Sequence, residues 1–413
     1  MRSWRYVWVV PIVVLVLDLY VFQAIKAVSQ AASPRLRSTI HTGYWAVSIL
    51  AVLILCFLPY LYRRFTWMQG YAFFILIGFY LAKVMVALFL LLDDIRRVIQ
   101  WVAGRLLASS SPETAAPAAG VSRSIFLSWL GLGLGAGLYT SLLHGFSNKY
   151  RYRVRRVRLA FDNLPASFKG LKIVQLSDIH SGSLADPVAV RRGVEMVLAE
   201  KPDLILFTGD LVNDIALEVG EYQAIFGCLD APMGVYSTLG NHDYGDYSWW
   251  ENAESKKANL DHLKRIQAEM GWRLLMNEHV ALERGGEQIA LIGVENWSAK
   301  ARFPKYGRLD EAYAGAQKYP FKILMSHDPS HWDAQVRKEY SDIDLTLSGH
   351  THGMQFGLEI PGFKWSPVQY VYKEWAGLYE EGNQKLYVNR GFGFIGYPGR
   401  VGIMPEITVI ELA

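Results

Sequence analysis

Four long apolar stretches, 7–22, 44–62, 71–92 and 124–143, occupy the first 150 residues of the chain. Each approaches the ~20 residues that a helix needs to cross a bilayer core of about 30 Å. In lipid the backbone must satisfy its own hydrogen bonds, and a single segment does that only as a helix. The pattern therefore predicts a transmembrane region of four helices over 1–150 and a separate domain over 151–413. No small-residue cleavage pattern follows the first stretch, so it reads as a retained helix rather than a signal peptide. The positive mean hydropathy, +0.12, is concentrated in this region. Residues 151–413 have ordinary globular composition and can bury a full core. The two cysteines, Cys56 and Cys228, offer neither a disulfide framework nor zinc-finger spacing and read as structural buried thiols.

Within the apolar region, "ASSSPETAAPAAG" (108–120) reads as a flexible linker. "GLGLGAG" (131–137) lacks the spacing and the preceding strand of a dinucleotide loop. Gly131/Gly135 and Gly133/Gly137 instead match small-xxx-small helix packing, which leaves a helix-mediated homodimer open. Asp18 and Lys83 lie inside predicted spans, where ionisable groups are costly unless paired or wet, and a structural pairing is the leading reading. Ten lysines and arginines flank the spans on the side of the termini against seven on the other. That bias points to a multi-pass protein with the 151–413 domain in the cytoplasm.

From residue 170 a different grammar repeats. Short apolar runs end abruptly in polar residues: "LKIVQLSDIH" in Asp178 and His180, "DLILFTGD" in Asp210, "GVYSTLGNHD" in Asn241, His242 and Asp243. "FKILMSHD" ends in His327 and "LTLSGHTH" in His350 and His352. Such runs read as buried strands. Asp186–Pro187 signals a helix start between the first two, and Leu260, Leu263, Ile266 and Met270 give a later helical face. Alternating strands and helices predict a layered α/β domain, whose functional groups gather at the carboxyl ends of the strands. Seven metal-competent side chains occupy equivalent ends of five strands. Any one alone could cap a turn, but together they point to a metal site. Carboxylate, imidazole and amide-oxygen ligands suit Mn²⁺, Fe or Zn²⁺ rather than Ca²⁺ or a thiolate-bound structural zinc.

D-x-H (178–180), G-D (209–210), G-N-H-D (240–243), a lone histidine (327) and G-H-x-H (349–352) resemble the calcineurin-like metallophosphoesterases in order and spacing. The tail "YVNRGFGFIGYPGRVGIMPEITVIEL" resembles the membrane-anchored bacterial branch of that superfamily, and the four spans resemble transmembrane proteins with a metallophosphoesterase domain. The resemblance implies central β-sheets flanked by helices and two divalent metals (Mn, Fe or Zn). It assigns Asp178, His180 and His352 to one metal, Asn241, His327 and His350 to the other, and Asp210 to both. His242 would stand beside the leaving group. Many relatives orient this histidine with an aspartate three residues after the bridging one. Here "GDLVND" offers Asn213, whose amide oxygen can accept the imidazole N–H, and then Asp214. Arg390 and Arg400, in glycine-rich loops, could fork onto substrate phosphate oxygens. Trp249, Trp250, Trp365 and Trp375 could line a cleft or sit at a bilayer interface.

The expected activity is membrane-bound hydrolysis of phosphodiester or pyrophosphate bonds. By location and family the substrate would be a lipid or lipid-linked nucleotide, such as UDP-diacylglucosamine in lipid A biosynthesis. Membrane lipids are the expected surroundings, and no nucleic-acid partner is expected because no basic stripe is interleaved with aromatics. The alternatives are a non-catalytic metal-binding scaffold or sensor, and a transporter-like membrane protein with an attached domain.

Overall fold

The computed structural model describes residues 9–61, 66–107 and 123–413, so the 108–120 linker lies outside the described residues. The chain divides into two compact units, Met1–His144 and Gly145–Ala413.

The first unit is helical: α1 (Val9–Ser29), α2 (Pro34–Leu61), α3 (Thr66–Leu107) and α4 (Arg123–Asn148). All four are long and apolar enough to cross a membrane. Each helix outruns the apolar stretch that predicted it. Hydropathy marks where lipid would touch the helix, whereas the backbone ladder continues into polar residues such as Asp93–Arg96, an ion pair one turn apart in α3. Asp18 and Lys83 form a buried ion pair, and Lys83 Nζ also donates to Ser48 Oγ at 2.8 Å. The two charges are thus paired inside the first unit, as the structural reading expected. Gly135 lies against α3, where a Cβ would come within 2.8 Å of the Ala82 carbonyl. Among the described residues, a Cβ at Gly133 or Gly137 meets nothing within 4 Å, so there the Gly131/Gly135 stripe alone is packed against.

The second unit contains two six-stranded sheets. The first has the order β1 (Arg153–Leu159), β14 (Glu406–Leu412), β2 (Lys172–Leu176), β3 (Leu204–Phe207), β4 (Val235–Ser237), β5 (Trp272–Leu274). The second runs β12 (Gly377–Glu381), β13 (Gln384–Val388), β9 (Leu345–Ser348), β8 (Lys322–Met325), β7 (Glu287–Gly293), β6 (Glu278–Arg284). A separate hairpin pairs β10 (Leu358–Ile360) with β11 (Phe363–Trp365). One core lies between the sheets, where Ile173 and Leu204 of the first meet Ile323, Leu345 and Tyr387 of the second. A second core packs the outer face of the first sheet against α5 (Pro187–Ala199), α6 (Tyr222–Phe226) and α7 (Ala253–Glu269). Sheets flanked by helices are what the alternating pattern predicted. Asp186 caps α5, accepting from Ala189 N at 3.0 Å, with Pro187 in its first turn. Cys228 departs from expectation: it lies in the turn after α6 and is exposed, because the helix ends two residues earlier.

β2, β3 and β4 run parallel, as do β8 and β9. Their carboxyl ends carry all five ligand-bearing loops.

Candidate metal centre

The loops at these strand ends take tight, costly backbone paths. Asp178, His180, Asp210, His350 and His352 all have φ between 49° and 69°, the left-handed region that side chains other than Gly, Asn and Asp seldom adopt. Main-chain bonds hold them there: Asp178 N donates to Gly209 O (2.9 Å), His180 N to Asp210 O (3.1 Å) and Gly349 N to His327 O (2.9 Å). Two glycines permit the close approach. A Cβ at Gly240 would sit 2.2 Å from Asp210 Oδ1, and one at Gly349 only 1.9 Å from Ser177 Oγ. Asp243 fastens two of the loops together. Its Oδ2 accepts from Asp210 N (2.9 Å) and Gly240 N (2.8 Å), and its Oδ1 from Leu211 N (2.8 Å) and Val212 N (3.3 Å).

Two groups of side chains result, each with its ligand atoms within 4.8 Å of one another: Asp178, His180 and His352, and Asp210, His327 and His350. In the first, His180 Nε2 and His352 Nε2 are 3.0 Å apart, and His352 Nε2 lies 3.2 Å from Asp178 Oδ1. In the second, His327 Nε2 lies 3.0 Å from Asp210 Oδ2 and 3.3 Å from His350 Nδ1. The same Asp210 Oδ2 is 3.6 Å from His180 Nε2, so one carboxylate oxygen faces both groups. The outer ring nitrogens are held by protein acceptors, His180 Nδ1 by Val212 O (3.2 Å) and His327 Nδ1 by Thr208 O (2.7 Å). A carbonyl fixes the tautomer and leaves Nε2 free to ligate.

Burial pushes the Asp178 and Asp210 carboxyls up, but the facing histidines outweigh it and hold both below the ordinary carboxylate range. Burial drives His180 down to about 3, which keeps it neutral. Burial also opposes charge on His327, yet the Asp210 carboxylate raises it to about 10. Metal ligation requires ionised carboxylates and neutral imidazoles, so Asp178, Asp210 and His180 are in the ligating state, whereas His327 must give up a proton when a cation binds.

The residues fit divalent cations. Beyond the ligand sets, the buried Asn241 Oδ1 has no hydrogen-bond partner, while its Nδ2 donates to Tyr247 Oη at 2.9 Å. A buried acceptor left unpaired costs about 1–3 kcal/mol, and a cation on Oδ1 would remove that cost.

Other expected site residues are placed differently. His242 Nδ1 contacts the main-chain carbonyl of Asn213 at 2.6 Å, and the Asn213 amide pairs with Ser183 Oγ instead. The turn aims the backbone at the ring, so the side chain is not the orienting group. Asp214 is held through its N–H by Glu218 (3.2 Å), and neither side chain lines the cleft. Arg390 and Arg400 are not available to substrate. Arg390 is buried between Glu406 (2.5 Å) and Glu359 (2.7 Å). Arg400 is fully buried and donates to the carbonyls of Arg390 (2.7 Å), Gly391 (3.2 Å) and Gly393. Both brace the tail because ionic and carbonyl partners compensate their burial. None of the four tryptophans lines the cleft.

The cleft over the two groups has a volume of about 710 Å³. Its lining includes the polar His242, Tyr247 and Arg302 and the apolar Met354, Val368, Val371 and Ile395. Sequence reasoning passed over Arg302, which no motif marks. It also passed over Asp328 and Tyr372, which flank His350 Nε2 at 3.5 and 2.9 Å. The position of Asp328 directly after His327 was an available signal.

A double-sheet α/β domain with two adjoining metal-ligand sets defines a metallohydrolase type of centre. Residues 171–354 match the family described as calcineurin-like phosphoesterase, and 2–149 match a probable calcineurin-like phosphoesterase transmembrane domain. A "Transmembrane protein with metallophosphoesterase domain" of Danio rerio is 31% identical over 75% of this chain and 67% of its own length. An "Uncharacterized metallophosphoesterase YkuE" of Bacillus subtilis is 31% identical over 60% of this chain and 81% of its own. The "UDP-2,3-diacylglucosamine pyrophosphatase LpxG" of Chlamydia trachomatis is 27% identical over 56% and 81% respectively. The chain belongs to the calcineurin-like metallophosphoesterases that carry a transmembrane region. It is a membrane protein whose domain hydrolyses phosphoester bonds.

Proposed function

We propose that this protein hydrolyses a phosphodiester or pyrophosphate bond in a lipid or lipid-linked nucleotide, of the kind acted on by the diacylglucosamine pyrophosphatase relative. The observation that carries the reading is the single Asp210 oxygen facing both ligand groups, since it permits two cations to share one bridge. Asp178, His180 and His352 would hold one ion, and Asn241, His327 and His350 the other; Mn²⁺, Fe and Zn²⁺ suit these ligands. Such a pair supplies Lewis-acid stabilisation of phosphoryl oxygens and an acidified water.

The chain's own residues do the rest. A carbonyl can only accept, so the Asn213 contact fixes the proton on His242 Nδ1 and leaves Nε2 turned to the substrate. Protonated, that nitrogen can donate to a leaving oxygen. Arg302 and Tyr247 offer donors to phosphate oxygens at one rim. The apolar Met354, Val368, Val371 and Ile395 in the same cleft suit an acyl chain, which favours a lipid-linked ester over a fully polar one. Cytoplasmic placement, from the Lys/Arg bias, would put the domain beside lipid precursors.

The test is hydrolysis of bis-p-nitrophenyl phosphate by the detergent-purified chain with Mn²⁺. Asp210→Ala should abolish turnover, and His242→Ala should lower kcat ~10²–10⁴-fold with metal content unchanged. Turnover that survives both substitutions together would refute the assignment. A second reading, the attached transporter, loses its main support because Asp18 and Lys83 neutralise one another.

A further inference from the structure

The β10–β11 hairpin is amphipathic in the wrong sense for water. Leu358 pairs with Trp365, Glu359 with Lys364 and Ile360 with Phe363, so Leu358, Ile360, Phe363 and Trp365 share one face. The polar face is the one turned to the domain. Glu359 lies 2.6 Å from Arg155 and 2.7 Å from Arg390, and Lys364 Nζ donates to Tyr379 Oη at 3.1 Å and to the Ala376 carbonyl. The apolar face points outward, with Leu358 49%, Ile360 52% and Phe363 52% exposed. A hairpin at a domain surface in water normally does the reverse, packing its apolar face and solvating its polar one.

The apolar surface does not stop at the hairpin. Ser366 Oγ donates to Gly353 O at 2.8 Å, which ties the segments flanking the two strands together. Those segments carry Met354, Tyr370 and Val371, all exposed. Met354 and Val371 also line the cleft. Exposed apolar residues of the hairpin and of its flanking segments therefore lead toward the cleft, which Met354 and Val371 line. Single exposed apolar residues need no explanation, whereas a contiguous apolar patch marks an interaction surface.

We propose that this face docks on the bilayer surface, with Ile360 and Phe363 seated at the headgroup–acyl boundary. The occupant is lipid because the domain cannot leave the membrane. α4 is a candidate span ending at Asn148, and β1 begins five residues later at Arg153. Within the second unit the chain enters beside the hairpin. Arg400 N donates to Gly145 O at 2.9 Å, and the next residue, Val401, bonds Gln355 and Gly357 at the hairpin's base (2.8 and 2.9 Å). Aromatic residues and an apolar face over a charged back are the composition of interfacial anchors. The proposal concerns where the domain rests and does not depend on what it cleaves.

The test uses the full chain in liposomes, with Cys56 and Cys228 replaced by serine and a spin label at Phe363→Cys. Leu358→Cys serves as a second site on the face, and Lys257→Cys, on the exposed side of α7, as the aqueous reference. The ratio of oxygen to nickel-chelate collision rates should be several-fold higher at 363 and 358 than at 257. That difference should vanish when the tether is retained but the liposomes are exchanged for a lipid-free amphipol. Equal ratios at all three sites in liposomes would overturn the proposal. So would dipolar broadening at 363 that disappears on dilution with unlabelled chain, because it would mean that a second copy covers the face.

Discussion

Asp243 makes no contact with substrate in the reading above, yet replacing it should cost more than replacing most residues around the cleft. Its two oxygens accept from four buried N–H groups: Asp210 and Gly240 on Oδ2, Leu211 and Val212 on Oδ1, so three come from the 209–212 turn and one from the 240–243 turn. Asp243→Asn keeps the shape but turns one oxygen into a donor. Two N–H groups then face an NH₂ and lose their acceptor. At about 1–3 kcal/mol for each buried donor left unsatisfied, the loss is roughly 2–6 kcal/mol. For a domain of this size each kcal/mol moves the melting temperature by about 2–4 °C, so a fall on the order of 10 °C is expected. Because the clasp sets the positions of Asp210 and Asn241, Mn²⁺ affinity should fall as well. Thermal melting and Mn²⁺ titration in detergent measure both. If Asp243→Asn melts within a degree of the parent and binds Mn²⁺ equally well, the clasp is not what positions these loops.

Three further outcomes are expected. Arg302→Ala should raise KM for a phosphodiester roughly 5–10-fold with little change in kcat, since loss of one exposed charged contact is worth about 1 kcal/mol; an unchanged KM would remove Arg302 from the site. His327 carries a proton in the cation-free protein because Asp210 raises it to about 10. Mn²⁺ binding at pH 8 should therefore release about one proton, read by calorimetry in buffers of different ionisation enthalpy. His331 is buried between Ser326 and Gln335, and burial drives it down to about 4. Its folded value lies below the unfolded one near 6.5, so the stability it contributes is complete above pH 6.5 and is lost as pH falls toward 4. That share is roughly 3 kcal/mol; the melting temperature of His331→Asn should fall less over this window than that of the parent.

The sequence made the strand-end ligands legible because motif and strand are local. An apolar run of four or five residues followed by D-x-H or G-H-x-H places the ligand at a known end of a known element. What it hid was tertiary. Arg390 and Arg400 sit among glycines like substrate-binding arginines, but their fate was decided by Glu406, Glu359 and main-chain carbonyls reached only on folding. The inverted hairpin was equally hidden. Alternation in "LEI" and "FKW" gives two faces but not which one meets the domain, and that is settled by Arg155, about 200 residues away. The ends of the spans were hidden because hydropathy does not register a helix that continues past the lipid.

The missing aspartate after the G-D motif has a physical resolution in the turn that replaces it. Glu218 accepts from the N–H groups of Asn213 (2.6 Å), Asp214 (3.2 Å) and Ile215 (3.4 Å), and this fixes the peptide that presents the Asn213 carbonyl to His242. The negative charge has moved one step back: a carboxylate still organises the histidine, but through a peptide rather than by contact. A neutral carbonyl fixes the ring's tautomer as firmly as a carboxylate does, while contributing less to an imidazolium. In this chain Glu218 therefore orients His242 through the Asn213 peptide. In the proposed reaction, cations held by the two ligand groups would supply charge stabilisation to a departing oxygen, and Arg302 would add a donor at the cleft.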